Sequence, residues 1–368
     1  MSEVLNLYFN GDDFTNFISF VKTMNAKDKS KYAKVIMLHV ENQHLVCRAI
    51  DDTSNYFEYH VELYNDNNII EEPIIVSISD VAALIKCANS NKFAIRKNFN
   101  QYEFNILGGG WLPFKTLEIE IDKFAVKGDI TDIGTINSVK LRNAISSVLG
   151  YTQEYTYTRD KFIQFTKDQM VVTSRRSVVI TSDQFIDMTL HRDVAALLKT
   201  LLKENFDLNV SKVSSEKEML MFTGPKFKYV IVASEIDSVD ANYSNNIENY
   251  IKINCDELYK LCLFSEEYSA SKHILGITVK NGELNVSVKN VLAAKHVSTI
   301  KSKAVGDVKD VLTEAEVPTH ILLKALKLFQ DKRSREVNIY ITDEMLKDSN
   351  TIILFDNNTQ AVIDIYSR

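Results

Sequence analysis

Few side chains in this chain of 368 residues stand at spacings that catalysis needs. The seven histidines are scattered; His39 and His44 flank a predicted hairpin turn, and neither an HExxH pair nor a facial triad occurs. Cys47, Cys87, Cys255 and Cys262 form no CxxC pair and no zinc spacing, and four cysteines in so long a chain make no disulfide framework. The preference of the free thiol for protein interiors predicts that all four are buried. The glycines of "LGGGW" (107–111) follow a strand and lead into "LPF", so they predict a turn and not the N-terminus of a phosphate-binding helix. GxxxxGK[ST] and GxSxG are absent. Adjacent carboxylates such as Asp51-Asp52 and Glu266-Glu267 are ordinary surface pairs. The residues therefore predict no enzyme, no cofactor and no metal.

What does recur is a chemistry of binding. "RDVAALLKTLLKEN" (192–205) reads as an amphipathic helix, and "SDVAALIKCANSN" (79–91) and "VPTHILLKALKLFQDK" (317–332) read almost the same way. At about 100° per residue, Val194, Leu197, Leu198, Leu201 and Leu202 share one arc, with Lys199 and Lys203 opposite. Lys86 faces away from Val81, Leu84, Ile85 and Ala88, and Lys324 and Lys327 face away from Leu322, Ala325, Leu326 and Phe329. A single lysine on an outer helix face is ordinarily just solvated. Cations repeated on one concave surface would instead contact phosphates without reading bases. The formal net charge of -6 argues against indiscriminate coating of nucleic acid, but it permits one basic face.

The elements that would carry these lysines also repeat. Lys86, Lys199 and Lys327 are spaced by 113 and 128 residues, which bracket a third of the chain. Each third opens with another helix: "GDDFTNFISFVKTM" (11–24), with Asp12 or Asp13 as cap, then "NSVKLRNAISSVLG" (137–150) and "NCDELYKLCLFSEE" (254–267). These add Lys22, Arg142 and Lys260, although Glu257, Glu266 and Glu267 dilute the third. Alternating β-branched stretches follow each helix, and Asn281-Gly282 is the strongest hairpin signal. The expected fold is α+β, three repeats of helix, strands, helix, strands, with helices inside and sheets outside. Expected domains are 1–124, 125–247 and 248–368, rigidly packed, since 4 prolines and 11 glycines leave no long flexible linker. Composition is that of a soluble globular protein, and without a targeting signal or an 18-residue apolar run the expected location is cytoplasmic, with no membrane partner.

In length, threefold order and local stretches the whole chain resembles the bacterial-type DNA polymerase sliding clamp, the DNA polymerase III β subunit that acts as processivity factor. "YIKINCDELYKLCLFSEEYSASKHILGITVKNGELNVSVKN" is similar to that family's third-domain helix and hairpin. "VPTHILLKALKLF" resembles its final helix, and "AVIDIYSR" its C-terminal strand and tail. "MVVTSRRSVVI" stands where the family has a Thr-Asp-Gly-His-Arg-Leu hairpin, and "EIDSVDANY" where it has a Gly-x-Phe-Pro-Asp-Tyr loop. The low Gly and Pro content and the departures below fit a phage-encoded or otherwise diverged clamp.

The resemblance implies a head-to-tail homodimeric ring threaded by duplex DNA, a separate clamp loader and a DNA polymerase tethered through a short peptide. DNA-facing positions fall on Lys22, Lys86, Arg142, Lys199, Lys203, Lys260, Lys324 and Lys327, with Lys29 and Lys31 of "KDKSK" matching an arginine-bearing segment. The ring joint falls on Phe104 against Leu263 and Phe264. In the peptide pocket, Arg175 and Arg176 match a His-Arg pair, Ser177 replaces a leucine, and Asp364, Ile365 and Tyr366 stand where the family has Met-Pro-Met. Thr158, Tyr243 and Ile247 fall near the remaining wall positions. Against the encircling clamp stands a clamp-fold scaffold that recruits or sequesters replication or transcription proteins without encircling DNA. An enzyme with a site at a domain seam is disfavoured by the missing catalytic constellation.

Overall fold

The computed structural model describes residues 5–26, 30–51, 53–65, 69–88, 91–105, 110–151, 161–174, 177–181, 184–233, 247–268, 273–289, 295–331, 334–348 and 350–365. Two compact units contain them, Met1–Leu141 with Leu197–Ala233, and Arg142–Ala196 with Ser234–Arg368. The layout is α+β. A strand, a helix, a run of strands, a second helix and further strands recur three times along the chain. The helix pairs are α1 (Gly11–Met24) and α2 (Ile78–Cys87), α3 (Ser138–Leu149) and α4 (Arg192–Leu201), and α5 (Cys255–Tyr268) and α6 (Thr319–Asp331). A short α7 (Asp343–Asp348) occupies "DEMLKD", where no helix was expected.

In the first unit, α1 starts at Asn10, whose side chain accepts from the backbone N–H of Asp12 and Asp13 at 3.0 and 3.1 Å. Asn10 therefore takes the capping role expected of the two aspartates, which instead place negative charge in the first turn, where the helix dipole favours it. Phe14, Phe17, Phe20 and Val21 are buried and meet the strands behind them. A four-stranded antiparallel sheet runs in the order Asn6–Asn10, Lys92–Asn98, Gln101–Asn105, Trp111–Phe114. An eight-stranded sheet joins the first repeat to the second: Tyr56–Glu62 pairs with Phe227–Val232 in the register Tyr59↔Phe227. Its last strand, Asp129–Asn137, turns in at Gly128, whose φ of 131° and whose approach to Ser214 leave no room for a Cβ.

The second unit is built likewise. Nine strands form one sheet in which Ser177–Thr181 pairs with Thr359–Asp364, joining second-repeat to third-repeat strands. A four-stranded sheet orders Lys295–Ile300, Glu283–Lys289, Ile274–Lys280 and Val311–Pro318. Asn281 and Gly282, at φ 53° and 75°, make the tight hairpin turn that their sequence predicts. α5 and α6 pack side by side, with Leu258, Cys262, Leu322, Ala325, Leu326 and Phe329 buried.

The thiols are not all alike. Cys47, Cys255 and Cys262 are buried, and burial pushes the Cys255 thiol up to about 12. Cys87, the last residue of α2, is exposed, contrary to the expectation of four interior thiols.

Candidate nucleic-acid interface

Every cation read from the sequence except Lys29 can be placed within its own unit. In the first, Lys22 closes α1 and Lys86 closes α2; both are exposed, and the two helices contact one another. Lys31 is exposed beside the short turn Tyr32–Lys34, its Nζ 5.0 Å from the Tyr32 ring centroid. Lys29 lies outside the described residues. α4 buries Ala195 and Leu198, whereas Val194, Leu197 and Leu201 are only partly covered. Lys199 in its last turn is half-buried. The backbone N–H of Leu202 closes onto the carbonyl of Lys199, and the helix ends at Leu201, so exposed Lys203 follows the helix instead of lying on it. Lys22, Lys86 and Lys199 all stand in last helical turns, where the dipole already favours a cation, so dipole compensation accounts for part of their placement.

In the second unit, Arg142 on α3 is half-exposed, and Lys260 on α5 and Lys327 on α6 are exposed. Lys324 is half-buried on α6; burial first, and then repulsion from Arg192, lowers its ammonium below the ordinary lysine value. Arg192, the first residue of α4, is therefore a cation near this face that the lysine pattern missed, although it opens the very helix that repeats. Acid is interspersed here: Gln330 donates to Asp256 at 2.6 Å, and Glu266 lies 3.2 Å from His273.

Of the peptide-pocket positions, Thr158, Arg175, Arg176, Tyr243 and Tyr366 lie outside the described residues. Ser177 opens the strand that pairs with the C-terminal strand, opposite Ile363, which brings its backbone beside exposed Asp364 and buried Ile365. Ile365 is anchored by its N–H to the Asn350 carbonyl at 2.7 Å. Ile247 is half-buried, three residues before the strand Tyr250–Asn254.

The expected joint residues differ sharply. Leu263 and Phe264 on α5 are 42% and 38% exposed, and Phe264 stacks on Tyr268 at 4.9 Å between centroids. Phe104 is 1% exposed, with its ring 5.3 Å from Phe93 and near Phe9 and Phe14. It cannot present a surface without opening the core, which corrects the sequence reading. On the strand Gln101–Asn105, Phe104 turns inward to Phe14 of α1 and to Phe9, a choice between two faces that sequence alone leaves open. Exposed apolar side chains on the outermost strands of the two four-stranded sheets, Leu112 and Val297, were missed for want of any pattern around them.

Among the described residues no group of three or more His, Cys, Asp or Glu could hold a metal ion, and no helix is long and apolar enough to cross a membrane.

This fold is that of the bacterial DNA polymerase sliding clamps. The chain is similar to the DNA polymerase III subunit beta of Pseudomonas aeruginosa (TM-score 0.77, 14% identity, 99% of this chain and 100% of that one). It is similar to the C. crescentus beta sliding clamp (TM-score 0.76, 11% identity) and to the Helicobacter pylori beta clamp (TM-score 0.76, 14% identity), in each case over 99% of this chain and 100% of the other. Compared by sequence, the chain matches no family model and no curated protein. At 11–14% identity the likeness establishes the fold.

Proposed function

We propose that this protein is a DNA sliding clamp: a binding device without catalysis of its own, which encircles duplex DNA as a head-to-tail homodimer and tethers a replicative polymerase. The observation that carries the reading is the full-length clamp fold combined with cations recurring on its helices. In an acidic protein, cations that recur on the helices of successive repeats suit a surface that holds phosphates loosely and without sequence preference.

In this reading the domains are 1–124, 125–247 and 248–368. Lys22, Lys31, Lys86, Arg142, Lys199, Lys203, Lys260, Lys324 and Lys327 face DNA, with Lys29 alongside. A clamp loader opens the ring, and a polymerase peptide docks beside Ser177, Ile247, Asp364 and Ile365, with Thr158, Arg175, Arg176, Tyr243 and Tyr366 completing the pocket. Leu263 and Phe264 form one side of the joint, and exposed Leu112 becomes the candidate for the other in place of Phe104. The site of action is the replication fork in the cytoplasm.

The test is topological. Protein loaded on nicked circular duplex by a bacterial clamp loader should survive a high-salt wash on the circle and run off once the circle is cut. Equal retention on circular and linear DNA would replace encirclement with ordinary surface binding and leave the non-encircling scaffold.

A further inference from the structure

The four-stranded sheet of the first unit has two unlike faces. Phe9, Phe93 and Phe104 turn to α1, where their rings meet Phe14. The pairings Asn6↔Arg96, Tyr8↔Ala94, Arg96↔Glu103 and Asn105↔Trp111, with the alternation of each strand, put these residues on the face turned away from α1.

That second face interleaves rings with cations. Lys92 Nζ lies 4.7 Å from the ring centroid of Tyr8 and 5.3 Å from that of Tyr64, and the Arg96 guanidinium lies 4.3 Å over the Trp111 ring. Tyr64 is held beside the sheet by its backbone N–H, which donates to the Tyr8 carbonyl at 2.8 Å. Lys92 and Tyr64 are exposed, and Tyr8, Arg96 and Trp111 are half-exposed. Ala94 contributes only a methyl between the rings, so Tyr8 and Trp111 bound a shallow floor three strand spacings, or about 14 Å, across. Among the described residues of this face Lys92 and Arg96 are the cations, and Glu103, which accepts from Arg96 at 2.5 Å, is the acid.

A ligand built of planar rings, each tied at a short interval to an anion, would stack on Tyr8, Tyr64 and Trp111 and bring its anions to Lys92 and Arg96. Single-stranded nucleic acid has that alternation, whereas a duplex hides its ring faces within its own stack. An acidic peptide supplies anions without a ring beside each.

We propose that this sheet face binds a short run of single-stranded DNA, with bases stacked on the three rings and phosphates at the two cations. The choice of DNA rests on the clamp reading, in which a polymerase copies a single-stranded template; the face itself shares no residue with the surfaces assigned there.

Trp111 is the only tryptophan of the chain, so its fluorescence reads this face directly. Oligo(dT) of about ten nucleotides, added to the full-length protein without loader or circle, should quench it, and an abasic oligomer of equal charge should compete about tenfold more weakly or worse. Tyr8→Leu and Tyr64→Ala should each weaken binding about fivefold or more with circular dichroism unchanged. Lys92→Gln should flatten the salt dependence by roughly 0.7 in log–log slope. If the Tyr8 variant misfolds, exposed Tyr64 decides. Absence of quenching, equal binding of the abasic oligomer, of duplex or of an alternating Asp-Phe peptide, or full affinity in folded Tyr64→Ala would each overturn the proposal. Tighter binding of oligo(rU) would overturn the assignment to DNA. Absent quenching with retained loading on circles would sink this proposal alone, and quenching without loading would sink the clamp reading alone.

Discussion

Lys226 Nζ lies 2.9 Å from Asp13 Oδ2 across 213 residues of chain. Two residues on, Lys228 lies 3.4 Å from Glu58, which also accepts from Arg48 at 2.7 Å, from Tyr56, and lies 3.1 Å from His60. Both lysines belong to the end of the second repeat and both acids to the first, so the strand pairing Tyr56–Glu62 with Phe227–Val232 is pinned by charge as well as by its ladder. At the corresponding pairing in the second unit, Ser177–Thr181 against Thr359–Asp364, the buried polar residues are the neutral Thr181, Thr359 and Gln360. The two joints are thus made by different chemistry.

Glu58, 5% exposed, supplies the first prediction. Burial alone would raise its carboxyl, but hydrogen bonds from His60, Tyr56 and Arg48, with Lys228 nearby, hold it well below the ordinary carboxylate range. A depressed folded value means that the stabilisation is complete above the unfolded value near 4.5 and fades as pH falls toward the folded one. Glu58→Gln should cost about 2 kcal/mol at neutral pH, since charge-assisted hydrogen bonds are removed. Urea melts of both proteins should converge below pH of about 4. A gap unchanged down to about pH 3 would show that Glu58 is not held ionised by the fold.

Burial separates the joint residues. Phe104→Ala should cost about 3–5 kcal/mol, as removal of a core ring does, and should lower Tm. Leu263→Asp with Phe264→Asp should leave Tm within a few degrees while moving the solution mass toward one chain, as read by light scattering. Retention of the full assembly by a folded double variant would take this face of α5 out of the joint.

Cations on the helices are tested by salt. Lys199→Glu with Lys203→Glu should weaken DNA retention and flatten its salt dependence, by roughly 0.9 in log–log slope for each phosphate that is no longer neutralised. Wild-type slope in a folded variant would assign both lysines to dipole compensation and solvation alone.

The C-terminus carries the last substitution test. Deleting residues 365–368 should abolish binding of a polymerase-derived peptide, read by fluorescence anisotropy, while the assembly persists. Loss of the Ile365 backbone bond to Asn350 should cost about 1 kcal/mol. Undiminished peptide affinity would place the pocket elsewhere.

The six long helices were legible because each carries an apolar stripe at helical spacing, and their ends fell within a few residues of expectation. Periodicity gives no sign of the strand Asp129–Asn137, since it is largely exposed and shows no alternation; what makes it a strand is its ladder to Asp207–Ser214, with a register shift at Val210/Ser211. Trp111–Phe114 was similarly hidden by Pro113, which the outer strand of a sheet tolerates. That lysines recur on these helices could be read from the sequence, although Lys203 follows α4 instead of lying on it. Which way Phe104 points, and the meeting of Asp13 with Lys226, could not, because both depend on strand register and on neighbours distant in sequence.

Encirclement stands or falls most directly on electron-microscope class averages of the purified protein, taken together with its solution mass. The account predicts a twofold, six-lobed ring with a hole wide enough for duplex DNA and a mass twice the 42.0 kDa of one chain. A compact particle of single-chain mass, without a hole and unchanged by added duplex circles and loader, would contradict it.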